Sequence, residues 1–265
     1  MGLEKKAFDG TAWHYARYRW GYPEELVGLL VRVFGLDGTG RLLDLGTGTG
    51  QVVFALGGHF VEVIGIDSSE DMLVEARHQC GSQGHSNVKW LRLSAEEINS
   101  DLGSFRLITA GRSFHWMERE DVIRRSYDLL EPGGGFAVLG VGGIDDDDTS
   151  SWQREMRRVV DRWLHTRERS IQWRTRLQVR HEDLIRASRF RTIGHGHYVF
   201  RRVRDIDSVV GFLYSTAYAN RVVLGSRAEA FEAELRASLL NVEPDGHFVE
   251  DVNVYFVLAR KDSAI

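Results

Sequence analysis

The chain has 265 residues, 43% of them hydrophobic and 27% charged, enough for one large or two small domains with a buried core. Its 34 lysines and arginines against 38 acidic residues leave a net charge of −4, which excludes a general electrostatic attraction to nucleic acid or membranes. A single cysteine, Cys80, excludes an internal disulfide and suits a reducing, cytoplasmic setting. No apolar run reaches the roughly 18 residues of a membrane span, and no signal-peptide hydrophobic core opens the chain.

Residues 8–19 are rich in aromatic and basic side chains, and Gly21-Tyr22-Pro23 opens a helix through Val33. Residues 42–45, Leu-Leu-Asp-Leu, read as a strand buried on both faces. The chain then breaks into Gly46-Thr47-Gly48-Thr49-Gly50-Gln51 and continues as an apolar helix to Leu56. Such a strand-to-helix turn leaves backbone N–H groups and a helix N-terminus facing a ligand, with no Cβ atoms to hold it away. The dinucleotide fingerprint is G-x-G-x-x-G, whereas this chain has Asp44-x-Gly46-x-Gly48-x-Gly50.

A second strand, residues 61–66, ends at Asp67. A carboxylate about 20 residues beyond the glycines, at the end of the second strand, is placed to grip a ribose diol. Ser68-Ser69-Glu70-Asp71 reads as a helix start, with Met72, Leu73 and Ala76 on the apolar stripe that follows. Residues 87–93 alternate as a partly exposed strand and lead into Ser94-Ala95-Glu96-Glu97, a pattern of acids in a first helical turn. A fourth strand, 105–110, opens at its carboxyl end into Gly111-Arg112-Ser113-Phe114-His115-Trp116-Met117. Doubly wound sheets bind ligands beyond the carboxyl ends of their strands, so this mouth is the expected place for a second ligand.

A helix over 121–130 stops at Glu131-Pro132-Gly133-Gly134-Gly135, and 136–141 forms a fifth strand. The four aspartates 145–148 make either a solvated loop or an attraction for a cation. Residues 150–245 read as a largely helical insertion. Within 151–191 twelve arginines stand against five acids, interleaved with Trp152, Trp163 and Trp173. Overall acidity and the absence of lysine there favour ion-paired helices over a nucleic-acid surface. His181-Glu182 and the His195/His197 pair lack the spacing of a metal motif, and no metal is expected. Helices are expected over 205–217, which carries Tyr214, and after a capping box at Ser226 and Glu229; residues 252–258 make the last strand, antiparallel to residues near 198–203.

The D-x-G-x-G-x-G turn, Asp67, the Phe114-His115-Trp116 triplet and the Leu-x-Pro-Gly-Gly turn together resemble class I S-adenosylmethionine (SAM) methyltransferases. More narrowly, residues 8–141 are similar to type-11 small-molecule methyltransferases of the trans-aconitate methyltransferase kind. The resemblance implies an α/β fold: a Rossmann-like doubly wound seven-stranded sheet with a helical cap inserted after the fifth strand. By it, residues 1–40 are an arm or lid; 41–143, 190–204 and 248–262 form the cofactor-binding core; 144–189 and 205–247 form the cap. Asp44, Gly46, Thr47, Gly48, Gly50 and Gln51 would face the methionine end of the cofactor. Asp67 and Ser68 would hold the ribose, Met72, Ala95 and Glu96 the adenine, and Gly111 the floor beside the methyl group. Tyr15 and Arg19 on the arm would lie near the methionine carboxylate, although Trp20 stands where the family commonly has proline. Phe114, Trp116 and Tyr214 would fit the acceptor. His115 would act either as a base, which a near-neutral pKa suits, or in orienting Trp116.

The implied reaction moves the SAM methyl group to an oxygen or nitrogen of a small molecule, such as a cationic amino sugar or another secondary metabolite, and releases S-adenosylhomocysteine. A monomer or homodimer is expected. A nicotinamide-dependent oxidoreductase would share the glycine turn and Asp67, and a non-catalytic SAM-binding regulator would keep the loop without the acceptor chemistry.

Overall fold

The computed structural model describes residues 8–141, 150–164 and 179–263. The aspartates 145–148 and Trp173 lie outside the described residues. Seven strands form one sheet: β1 Arg41–Leu45, β2 Glu62–Asp67, β3 Val88–Arg92, β4 Phe105–Gly111, β5 Leu130–Val141, β6 Arg191–Arg204 and β7 Phe248–Arg260. Their order is β3-β2-β1-β4-β5-β7-β6. The first five pair in parallel, and β7 runs antiparallel to β5 in a register that sets Val138 opposite Val257 and Gly140 opposite Tyr255. Succession moves outward from β1 through β2 to β3 and then returns to β4 on the other side of β1. The switch point therefore lies between β1 and β4, where such sheets leave a crevice at their carboxyl ends.

The local reasons are plain in the side chains. In β1, Leu42, Leu43 and Leu45 are fully buried, as a strand covered on both faces requires. Flanking helices are α1 Ala12–Tyr18, α2 Glu24–Phe34, α3 Gln51–Leu56, α4 Glu70–Gln83, α5 Arg119–Leu129, α6 Ser151–Leu164, α7 His181–Arg186, α8 Ile206–Tyr214, α9 Arg221–Leu224 and α10 Ala228–Val242. Pro23 precedes the first turn of α2, and Gly35 ends that helix in the left-handed region, where glycine carries no Cβ penalty.

Two expectations shift. The strand β5 begins before the Pro132-Gly133 break: Phe105 pairs with Leu130, Leu107 pairs with Gly135, and the intervening residues form an irregularity in which Gly133 turns at φ +77°. The capping box at Ser226 and Glu229 does not form. Ser226 sits in a short 3₁₀ turn, Gly225–Arg227, and α10 starts at Ala228 without a side-chain cap.

The chain divides into two compact units, one of residues 21–141, 179–198 and 253–265 and one of residues 1–20, 142–178 and 199–252. The first is built on the parallel strands, with Phe105, Phe114, Phe136, Ile185 and Phe190 among its buried side chains. The second buries Trp152, Val159, Leu213, Phe231, Leu235 and Phe248 from α6, α8, α10 and the start of β7. Arginines of 151–164 do pair with acids there: Arg158 with Glu155, and Arg162 with Glu234.

The second unit also contains a buried ion pair. Arg204, 3% exposed, donates from Nε to Glu250 Oε1 at 2.7 Å and from Nη1 to the Tyr18 carbonyl at 3.0 Å. Trp20 donates its indole N–H to the same Glu250 oxygen, and its ring lies 4.5 Å from the Arg204 guanidinium. Removing one partner of such a pair leaves an uncompensated charge. Glu250→Ala is expected to cost about 3 kcal/mol in urea unfolding, whereas the double change Arg204→Met, Glu250→Met costs less. A double variant as unstable as the single one would contradict this account.

Candidate active site

The strand β1 leaves the sheet at Leu45, and the next five residues build the site. Gly46, Gly48 and Gly50 all have positive φ, at +61°, +56° and +89°. They serve different ends. A Cβ on Gly46 would lie 2.6 Å from Ser113 Cβ, so this glycine lets the turn close against the end of β4. Nothing stands within 4 Å of where a Cβ on Gly48 would be: here the backbone is turned outward with open space before it, the form a close ligand approach needs. The Ser113 hydroxyl donates to the Leu45 carbonyl at 2.6 Å and locks the two strand ends together.

Asp67, ending β2, holds this turn. Its Oδ2 accepts from Gly48 N and its Oδ1 from Ser69 N, both at 2.8 Å. Burial raises its pKa, and the backbone donors of Ser69, Gly48 and Ser68 oppose the rise. Each carboxylate oxygen can take a second donor, which suits a pair of ligand hydroxyls. Ser69 Oγ caps α4 by accepting from Met72 N at 3.4 Å.

Asp44 is 1% exposed. Burial pushes its pKa up to about 7, with the charge of Asp67 adding to the rise and the hydroxyls of Thr47 and Thr109 opposing it. The Thr109 hydroxyl donates to Oδ1 at 2.7 Å; the Thr47 hydroxyl lies beside the carboxylate outside hydrogen-bond geometry, and that of Thr49 also meets no partner among the described residues. A buried carboxylate of raised pKa and two unsatisfied hydroxyls thus belong to the same turn as Gly48. The donor set fits a ligand bearing a diol and a positive charge, and so fits SAM.

The rest of this unit closes the crevice. Gly111 ends β4, and a Cβ there would lie 2.5 Å from Val52 and 2.6 Å from the Tyr22 hydroxyl. Arg112, the one non-glycine among the described residues with positive φ, donates to Gln51 Oε1 at 2.9 Å and lies 5.2 Å from the Tyr22 ring. Met72 and Ala95 are buried. Glu96 Oε1 accepts from Glu118 N at 3.0 Å, while Glu97 makes the reciprocal cap with Ser94.

Of the aromatic triplet, Phe114 is 1% exposed and packs edge-on against Phe136 and His181. His115 and Trp116 are half-buried with ring centroids 5.4 Å apart. Glu182 lies 3.5 Å from His195 Nε2. Thr109 and Arg119 carry no motif, and the sequence alone does not single them out; Ser113 stands in the expected mouth, but no pattern gives its role. Thr109 could have been found as the polar residue inside an otherwise apolar strand.

Tyr15, Arg19 and Tyr214 belong to the second unit. Arg19 donates from Nε to Ser215 Oγ at 2.8 Å and lies 5.1 Å from the Tyr15 ring. Tyr214 donates to Glu232 Oε2 at 2.8 Å, and burial and that carboxylate raise its pKa.

A family model described as "Methyltransferase domain" matches residues 42–134. Among curated proteins, an uncharacterized methyltransferase-like protein of Schizosaccharomyces pombe is 26% identical over 65% of this chain and 64% of its own length. A probable S-adenosylmethionine-dependent methyltransferase of Saccharomyces cerevisiae is 29% identical over 47% of this chain and 43% of its own. The chain thus spans less than two thirds of the length of these relatives. Among solved structures, a putative type II methyltransferase from Anaeromyxobacter dehalogenans has the same fold, with TM-score 0.60 and 20% identity over 92% of this chain and 98% of that one.

The buried Asp44 makes a pH prediction. Its folded pKa lies above the unfolded value, so the protonated form favours the folded protein. That stability is present in full below about pH 4 and lost as pH rises through about 7. Asp44→Asn is therefore expected to gain on the wild type between pH 5 and 8, by an amount on the order of 2–4 kcal/mol in urea unfolding. Parallel pH profiles for the two proteins would contradict the burial argument.

Proposed function

We propose that this chain, whose residues 42–134 match the family model described as "Methyltransferase domain", is a class I S-adenosylmethionine-dependent methyltransferase that moves the methyl group of SAM to an oxygen or nitrogen of a small molecule. The observation that carries the reading is the Asp67 carboxylate, held on Gly48 N and Ser69 N at the open face of the glycine turn. When bound, the sulfonium supplies a methyl group that an in-line nucleophile can take, so that much of the rate comes from positioning.

The chain's own residues divide that work. Asp67 takes the ribose hydroxyls on its second lone pairs, with Ser68 beside it. Asp44, Thr47 and Gln51 serve the methionine end, and the ammonium group of the cofactor draws Asp44 toward its ionised form. Met72, Ala95 and Glu96 line the adenine. His115 takes the proton released by the acceptor, and Trp116 beside it shapes the acceptor's place; Phe114, from the core, holds the turn that presents His115. The finer proposal is a hydroxylated acceptor such as a cationic amino sugar or another secondary metabolite, with the aspartates 145–148 drawing the cation. A monomer or homodimer working in the cytoplasm completes the reading.

Calorimetric titration with S-adenosylhomocysteine, with NAD and NADP as controls, tests the premise. Micromolar binding of S-adenosylhomocysteine alone is expected. Asp67→Ala is expected to weaken it by about 2–3 kcal/mol, since both ribose hydrogen bonds and the tether on Gly48 are lost. Wild-type affinity in Asp67→Ala would remove the ribose assignment, and a response to a nicotinamide cofactor alone would end the methyltransferase reading.

A further inference from the structure

The first unit holds a second set of polar groups around Phe114, and what they can do depends on the methyltransferase reading above. Arg119, the first residue of α5, donates from Nη1 to the Val179 carbonyl at 2.8 Å and meets His181 Nδ1 at 3.1 Å. A guanidinium carries donors only, so Nδ1 must present its lone pair and the ring proton resides on Nε2. Burial, reinforced by the charges of Arg119 and His115, pushes the His181 pKa down to about 4. At neutral pH the ring is an uncharged Nε2–H donor.

The ring is fixed on two sides by aromatic neighbours. Its centroid lies 5.0 Å from that of Phe114, at 66°, and 6.4 Å from that of Tyr255, at 32°. Tyr255 is paired with Gly140 near the carboxyl end of β5, and a Cβ on Gly140 would fall 2.1 Å from its ring and 2.3 Å from its hydroxyl. The glycine is what lets the phenol lie across the strand. Neither His181 Nε2 nor the Tyr255 hydroxyl has a hydrogen-bond partner among the described residues. Half-buried donors without a protein partner turn to water or to a ligand. Two of them, on neighbouring rings, stand open to solvent or to a ligand's acceptor atom.

We infer that His181 Nε2–H and the Tyr255 hydroxyl form a donor pair that holds a carbonyl or carboxylate oxygen of the methyl acceptor, with Arg119 as the positioning residue that fixes the imidazole tautomer. The aromatic walls and the positive charge of Arg119 suit a planar, oxygen-bearing group. An amine on the same acceptor would lie away from this end.

The test uses the full chain saturated with S-adenosylhomocysteine and benzoate as the probe. Long-range ¹H–¹⁵N spectra should show His181 protonated on Nε2 at pH 7 and a mixture of tautomers in Arg119→Met. Benzoate should bind the wild type, and Tyr255→Phe and His181→Phe, which keep both rings, should each weaken it roughly threefold to tenfold, the range for one neutral hydrogen bond. His181→Gln, which keeps an amide donor, should recover part of the loss. An Nδ1–H tautomer in the wild type, no benzoate binding, or equal binding in the ring-preserving variants would overturn the inference. Absence of S-adenosylhomocysteine binding would instead strike the methyltransferase reading, and the benzoate arm on the protein alone would still decide the donor pair.

Discussion

The site depends on one carboxylate that ties together the ends of two strands. Asp67 stands at the end of β2, yet it accepts from the backbone of Gly48, which follows β1, and of Ser69, which opens α4. Parallel pairing of β1 with β2 brings those ends level, with Leu45 opposite Ile66. The carboxylate then converts adjacency into a fixed shape. Without it, a turn of alternating glycines would have many backbone conformations to lose on folding. Thr47 N, donating to the Ile66 carbonyl at 2.8 Å, extends the same sheet logic into the turn. The glycines supply freedom, and Asp67 with the strand register removes most of it. What remains open is the face of Gly48.

Asp44 is the cost of that arrangement. A carboxylate placed one residue before the end of a fully buried strand loses its water, and one hydroxyl donor from Thr109 replaces only part of it. Its pKa is raised for that reason. It is also what would make the group responsive, because a nearby positive charge gains more from an under-solvated carboxylate than from one already satisfied. Strain of this kind is retained where a ligand relieves it.

Legibility followed the range of the interaction. The glycine turn, Asp67 and the parallel strands could be read from the residues because each is a local signal: a spacing, an alternation, an acid at a strand end. The pairing of Arg119 with His181 joins residues 62 apart in the chain, and no spacing announces it. The spacing around His181 does not make a metal motif, and its tautomer follows only from its partner Arg119. Phe114 reads the same in sequence whether it faces a pocket or a core; packing against Phe136 settles it in the core. At Ser226 the local pattern of a capping box was sound in type but lost to Gly225, whose φ of +56° starts a 3₁₀ turn in the helix's place.

Trp20 shows how a departure from a pattern can have a physical reason. Proline at that place would stiffen the chain by closing its own ring. Here the stiffness comes from the side chain: the indole lies against the Arg204 guanidinium and donates to Glu250, while Arg204 itself donates to the carbonyl of Tyr18. The end of the arm is thereby fixed within its own unit from both sides. Gly211 contributes on the other flank, since a Cβ there would lie 2.2 Å from the Tyr18 ring. A buried arginine is tolerable only where its donors are met, and the arm supplies one of the acceptors as well as an aromatic face. The ion pair and the path of the arm therefore depend on each other, which is why a residue with neither motif nor catalytic chemistry stands at the junction of both.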